Sequence, residues 1–306
     1  MVNENLNQAP AACSVCPRAC RVDRLAGELG FCRIPAAVQV SHAGLHLGEE
    51  PPISGVRGSG TIFFSGCNLR CIFCQNYQIS QEFSQPSRGM TIAELAVAML
   101  RLEQQGAHNL NFVSPSHVAF QVAEAIATAR AQGLTVPVVY NSNGYDAPAA
   151  LRRLRGLVDI YLPDLKYLEN GLGRRFSDVT DYADVAPLVI AEMLNQVGHL
   201  QTDAEGLAVR GLLVRHLVLP GYIDNSLRVL DFLAGLSRDI FVSIMAQYSP
   251  QYKAMFDPVI SRTLRQDEYD RVVEHALTLG LDNAFVQELA SQDHYLPDFE
   301  REDPFL

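Results

Sequence analysis

All seven cysteines of this 306-residue chain fall at or before position 74. They form two groups. Cys67, Cys71 and Cys74 stand at x3 and x2 spacing within GTIFFSGCNLRCIFCQNYQIS. A short apolar strand over residues 61–64 and a Ser65-Gly66 turn precede them. No bulky apolar side chain occurs in the turn before Leu69, so the turn presents sulfurs rather than filling a core. A strand that delivers three thiolates at its carboxyl end is a metal-site geometry. A closed zinc site needs a fourth ligand, for which a distant His42 or His46 is available. A [4Fe–4S] cluster on three thiolates leaves one iron open to bind substrate.

Cys13, Cys16, Cys20 and Cys32, spaced x2, x3 and x11, form the second group. Four cysteines close a site unaided, so this Gly- and Pro-containing stretch reads as a small knuckle held by metal. Zinc and an auxiliary [4Fe–4S] cluster both fit. A disulfide framework more often distributes its cysteines and uses an even number. The clustering instead implies reduced thiolates in a reducing compartment, and hence a cytoplasmic location.

The net charge of −10 argues against general nucleic-acid binding, which needs a basic face. No apolar run reaches the roughly 18 residues of a membrane helix. The amino terminus, MVNENLNQAPAA, lacks the charged and apolar regions of a signal peptide. Residues 1–12 read as a frayed tail. VQVSHAGLHLGEE alternates like a strand pair and turns at Pro51-Pro52.

From residue 60 strand and helix patterns alternate. Short apolar strands are expected over 60–64, 109–113, 136–140, 158–162, 211–219 and 240–244. Thr91 and Glu94 form a capping box for a helix whose face is Ile92, Leu95, Met99 and Leu102. A second helix runs from Val118 to a stop at Gly133. Asp146 is placed to cap a short helix through Arg155, and Asp184 one to about Val197 with Pro187 in its first turn. Helices over 225–236 and 266–279 complete the set. Such βα units imply a parallel sheet with helices outside, as an open partial barrel or a doubly wound sheet. Either fold puts the chemistry at the carboxyl ends of the strands.

CxxxCxxC with Phe73 before its last cysteine, inside FSGCNLRCIFCQN, resembles the radical S-adenosylmethionine (radical SAM) superfamily. The phrase is similar to its pyruvate formate-lyase activating enzyme-like branch, and the resemblance continues through GAHNLNFVSPSH, VPVVYNSNGY, VDIYLPDLKY, VRHLVLPG and MAQYSP. It covers nearly the whole chain. It implies a partial (β/α)6 TIM-like barrel over 59–290, preceded by the cysteine-rich segment 1–58 and followed by a tail, 291–306. It also implies a [4Fe–4S] cluster on Cys67, Cys71 and Cys74 whose open iron chelates S-adenosylmethionine. Reductive cleavage then yields a 5′-deoxyadenosyl radical that abstracts a hydrogen atom. The branch implies a glycyl radical enzyme as protein substrate and an electron donor such as flavodoxin or ferredoxin. The other substrates open to this fold are a small molecule or another peptide. A rival class is a non-catalytic metal-binding scaffold with zinc at both cysteine sites.

The resemblance implies further cofactor contacts. Ser114 and Ser116 stand where the superfamily often has a Gly-Gly-Glu-Pro-like segment, here without an acidic residue; His117 beside them is a ligand or a helix-terminal residue. Asn141 and Asn143 follow the third strand, where amides bond ribose hydroxyls, although Asn-Gly is also ordinary turn chemistry. Asp164 and Lys166 match an Asp-x-Lys segment at the cofactor's methionine end; the alternative is a structural ion pair at a rim. Arg215 interrupts an apolar strand and aligns with an arginine near the cofactor carboxylate, while His216 faces the other side. Ser249 stands where activating enzymes carry a cofactor-contacting histidine, with Gln247 as the substitute.

Overall fold

The computed structural model describes residues 12–84, 87–289, 296–301 and 303–305. The frayed tail expected over residues 1–12 lies outside them except for Ala12, as do 290–295, 302 and 306 at the other end. The strands are β1 (Val38–His46), β2 (Ser59–Phe64), β3 (Arg88–Met90), β4 (Leu110–Val113), β5 (Val138–Asn141) and β6 (Ile160–Tyr161). β7 (Gln201–Thr202), β8 (Ala208–Leu217), β9 (Phe241–Met245) and β10 (Ala284–Val286) follow. The helices are α1 (Pro51–Ser54), α2 (Ile92–Gln104), α3 (Ala119–Ala131), α4 (Pro148–Leu154), α5 (Asn170–Ser177), α6 (Tyr182–Val197), α7 (Ile223–Leu236) and α8 (Gln266–Leu279).

Strand order decides between the two candidate architectures. It runs β10-β9-β8-β6-β5-β4-β2-β1-β3 with β7 appended to β8, so that β2, β4, β5, β6, β8, β9 and β10 follow in chain order. These strands pair in parallel. A doubly wound sheet reverses direction at a switch point, and this one does not. The sheet is therefore an open partial barrel, with β10 at one edge and the antiparallel β1 and β3 beyond β2 at the other. β10 adds a parallel strand to the six expected.

Alternation along each strand splits the side chains between two layers. Ile62, Phe64, Leu110, Phe112, Val214 and Val242 join the outer core that packs beneath the helices. Phe63, Val113, Asn141, Arg215, Leu217 and Met245 face the lumen and line one cavity. α1 stoppers the lower lumen: Ile53 is fully buried with Val139, Ile160, Leu162 and Leu213. The Asn109 amide holds it by donating to the Ile53 carbonyl at 2.7 Å.

Thr91 and Glu94 form the expected capping box, and Gly133 follows α3 at φ +103°. Four local expectations fail. Residues 38–50 are not a strand pair but one strand, bulged between Val40 and His42, pairing with β2 and β3. Asp146 caps nothing; it is fully buried and accepts from Ser142 Oγ and, at 2.9 Å, from Tyr140 Oη. Burial raises its pKa above the usual carboxylate range. α6 begins at Tyr182, which puts Asp184 inside its first turn and Pro187 beyond that turn. α5 was not expected, because its apolar residues are too few to show a period.

Candidate active site

Gly66 opens the cysteine loop at φ +75°. A Cβ there would stand 2.4 Å from the Cys32 carbonyl oxygen, so knuckle and loop meet where only glycine fits. The end of α5 holds the loop: Arg70 N–H donates to the Ser177 carbonyl at 3.0 Å and Ile72 N–H to that of Phe176 at 2.9 Å. Each sulfur has a hydrogen-bonding neighbour. Cys67 Sγ accepts from Leu69 N–H and Asn143 Nδ2, both at 3.4 Å. Cys71 Sγ is 3.0 Å from Ser177 Oγ, and Cys74 Sγ is 3.4 Å from Ser80 Oγ.

Burial, then the other cysteines, push Cys67 up to about 12 and Cys74 to about 11. Burial also raises Cys71, against the pull of Lys166. One buried and two half-buried thiols on one loop, with donors beside their sulfurs, fit an iron–sulfur cluster, whose binding would discharge their protons.

Among the described residues, no three His, Cys, Asp or Glu side chains are placed to hold a single metal ion. His42 and His46 do not join the cysteines. They pack against Phe305, at centroid distances of 6.1 and 4.1 Å.

Phe73 is buried on the cavity wall against Phe176 and Tyr248. Ser114, in the left-handed region at φ +52°, and Asn141 also line the cavity. Ser116 is fully buried behind the wall. His117 is tied inward: its Nε2 bonds the Ser65 carbonyl at 2.9 Å, and burial lowers its pKa to about 4. Asn143 lines the cavity, but its amide bonds Cys67, Asn68 Oδ1 at 2.7 Å and, as acceptor, Tyr145 N–H. Asn68 in turn donates to the Tyr145 carbonyl at 2.7 Å. This amide pair zips the cysteine loop to the loop after β5, a role sequence reasoning missed although Asn68 stands within the motif.

Asp164 and Lys166 form an ion pair of 2.6 Å on the cavity wall. Burial alone would depress the lysine, but Asp164 and Cys71 together raise it, so it stays charged beside the thiols. Arg215 also lines the cavity, yet the anions it meets belong to this chain. Its guanidinium bonds Glu50 through Nε at 2.8 Å and Nη2 at 2.5 Å, and also Glu49. Asn111 Nδ2 donates to Glu49 at 2.8 Å. Sequence reasoning missed both glutamates; the signal was an acidic pair before Pro51-Pro52.

His216 is buried with both ring nitrogens bonded, to the Leu165 carbonyl at 2.7 Å and Ser226 Oγ at 2.8 Å, and burial lowers it to about 4. Gln247 lines the cavity, whereas Ser249 accepts from Gln251 Nε2 and does not.

In the knuckle, burial and then the other three cysteines push Cys16 up to about 12. Arg24 donates to Cys32 Sγ at 3.1 Å and to the His117 carbonyl at 3.0 Å, tying the knuckle to the barrel. Phe31 N–H points at Cys20 Sγ from 3.4 Å.

Residues 61–189 match the radical SAM superfamily. An uncharacterized protein of Methanocaldococcus jannaschii is 33% identical over 275 residues, covering 88% of this chain and 75% of that one. This chain belongs to the radical SAM superfamily. Solved structures share its fold at low identity. Streptococcus suis SuiB bound to its precursor peptide SuiA superposes with a TM-score of 0.52 at 12% identity, over 73% of this chain and 47% of that one. Methylornithine synthase (PylB) gives 0.51 at 14%, over 74% and 63%. HydG, a maturase of the [FeFe]-hydrogenase, gives 0.51 at 13%, over 77% and 53%. This chain thus spans about half to two thirds of each of these solved chains. The superfamily implies radical enzymology with a [4Fe–4S] cluster and S-adenosylmethionine.

Proposed function

We propose that this protein is an activating-enzyme-like oxidoreductase that cleaves S-adenosylmethionine reductively and takes a hydrogen atom from a glycyl residue of a partner enzyme. The observation that carries the cleavage is convergence. Cys67, Cys71 and Cys74 line one cavity with Ser114, Asn141, Asp164, Lys166 and Gln247. When bound, the cluster supplies one electron and the cofactor a 5′-deoxyadenosyl radical.

In this reading Cys67, Cys71 and Cys74 hold the cluster, and Lys166, kept charged by Asp164, orients the carboxylate end of the cofactor. Asn141, whose side chain makes no hydrogen bond among the described residues, and Ser114 are available to its polar groups. Asn143 acts through Cys67 and Asn68 by fixing the loop. Phe73, Phe63 and Leu69 exclude water. The four knuckle cysteines are assigned a second iron–sulfur cluster rather than zinc, because no three of them are placed to hold a single ion. Support for the glycyl target is the motif set shared with the activating-enzyme-like branch.

A second reading, a small-molecule substrate, is favoured by one observation: Pro297 and Phe305, from the end of the chain, line the same cavity.

The test is anaerobic reconstitution, reduction with dithionite and quantification of 5′-deoxyadenosine. Wild type is expected to form it and Cys71→Ala to form none; equal yields would sink the cleavage. Protein extract from cells grown on α-deuterated glycine then decides the substrate. Deuterium appearing in 5′-deoxyadenosine supports a glycyl target, and deuterium appearing only with labelled metabolites supports the second reading.

A further inference from the structure

This acidic protein keeps a group of arginines without carboxylate partners beside its cysteine loop. Arg18 and Arg70 both lie over the ring of Phe31, with their Cζ atoms 3.7 and 4.2 Å from its centroid. Arg33, two residues on, lies 4.4 Å over Phe83. Their hydrogen bonds go to main-chain carbonyls. Arg18 donates to Asn68 at 2.9 Å and Asp178 at 2.5 Å, Arg33 to Gln81, and Arg70 to Phe31 at 3.4 Å. Other arginines find acidic partners, as in Arg130–Asp159, Arg155–Glu192, Arg175–Asp257 and Arg262–Glu268, while Arg57 and Arg210 also bond main-chain carbonyls, so it is the grouping of three beside the cysteine loop that sets this set apart. Among the described residues the carboxylates of Asp178, whose carbonyl Arg18 bonds, and of Glu82, next to Gln81, make no ion pair with the three arginines.

Arg33 and Arg70 are exposed and Arg18 is half-buried. Stacking on Phe31 for Arg18 and Arg70 and on Phe83 for Arg33, with the carbonyl contacts, holds these guanidinium groups in place without neutralising them. The group is also next to the redox centre. Arg70 lies between Cys67 and Cys71, and its Cα is about 3.8 Å from that of Cys71 along the chain. Arg18 bonds the carbonyl of Asn68, the residue after Cys67.

We infer that Arg18, Arg33 and Arg70 around Phe31 form the docking platform for an acidic one-electron carrier protein. This rests on the radical SAM reading, in which the cluster on Cys67, Cys71 and Cys74 must receive an electron. The carrier is oxidised by one electron and the cluster reduced by one, with no bond made or broken. The net charge of −10 does not prevent docking. At physiological salt charges are screened beyond about 8 Å, so an approaching acidic surface responds to the local arginines. Such steering raises association rates by about 10- to 1,000-fold and fades with salt.

The experiment uses the full chain with its cluster reconstituted, and flavodoxin photoreduced to its hydroquinone as the acidic carrier. Stopped-flow absorbance of the cluster gives the second-order rate of reduction from about 0.05 to 0.3 M salt, a range over which the screening length roughly halves. Wild type is expected to slow as salt rises. Arg33→Gln/Arg70→Gln is expected to be about tenfold slower at low salt, with a flattened salt dependence. Arg33→Lys/Arg70→Lys should keep most of the wild-type rate, and dithionite should reduce all three proteins equally. A glutamine variant as fast as wild type overturns the platform. So does one that dithionite also reduces more slowly, since that places the defect in the cluster. Protein that takes up no iron–sulfur cluster fails the radical SAM reading before any carrier is added, which keeps the two failures distinct.

Discussion

Replacing Arg215 by methionine removes the guanidinium that bonds Glu49 and Glu50 at the cavity. The side chains of Arg215 and Glu50 are only 13% and 7% exposed, so water compensates little. Removing one partner of a buried ion pair costs about 3–5 kcal/mol. Two stranded carboxylates place this site near the upper end. The pH dependence separates this cause from a packing loss. In wild type burial tends to raise Glu50, but the charge and hydrogen bonds of Arg215 outweigh it and hold the carboxyl below its usual value of 4.5. Its stabilising contribution is therefore fully present above that value and is lost as pH falls through the lower folded value. In Arg215→Met burial acts unopposed and the folded pKa rises. The variant then regains stability as pH falls from neutrality toward the raised value, a range over which the gap to wild type narrows. Urea unfolding followed by circular dichroism across that range measures both effects. Triple replacement, Arg215→Met with Glu49→Gln and Glu50→Gln, should recover more than half of the loss. A loss below about 1 kcal/mol, or a gap that does not change with pH, would refute the reasoning.

Three further outcomes follow from the geometry. Gly66→Ala puts a Cβ against the Cys32 carbonyl at positive φ, and is expected to cost about 1–3 kcal/mol and lower iron uptake per chain on reconstitution; wild-type iron content would contradict the proposed packing. His117 and His216 are buried with pKa values near 4 against 6.5 when unfolded, so stability is complete above 6.5 and falls as pH drops from 6.5 through about 4. The slope is up to about 1.4 kcal/mol per pH unit for each histidine, and a His216→Gln variant titrated in urea should show a shallower fall. Thr91→Ala breaks the capping box of α2 and should cost about 1 kcal/mol while leaving 5′-deoxyadenosine formation unchanged, because α2 contributes nothing to the cavity lining. A change in product yield would show that α2 reaches the site.

The alternation of apolar strands and amphipathic helices was legible because both periods are local and each βα unit repeats them. The cysteine loop was legible for a related reason: all three sulfurs, their turn glycine and the strand that delivers them lie within 60–80. The Asp164–Lys166 pair was readable as a neighbour of a strand end, and Phe73 from its place before the last cysteine of the motif. Capping was less so. Thr91 met its partner three residues away, whereas Asp146 was drawn into a buried network with Tyr140 and Ser142 that outweighed its capping preference.

What only the tertiary structure decided is every contact that joins distant segments. Arg215 announced an anion but not which one, because Glu49 and Glu50 lie more than 160 positions away and reach it only when α1 fills the bottom of the barrel. Asn143 resembled a ribose ligand until Asn68 and Cys67 were brought against it. The monotonic strand order that makes an open barrel is likewise a property of pairings between units, and a period within one strand carries no record of its neighbour. Residue types and spacing placed three cysteines in one loop at a strand end. Packing determined which polar groups remain available in the cavity and which are spent holding the loop in place.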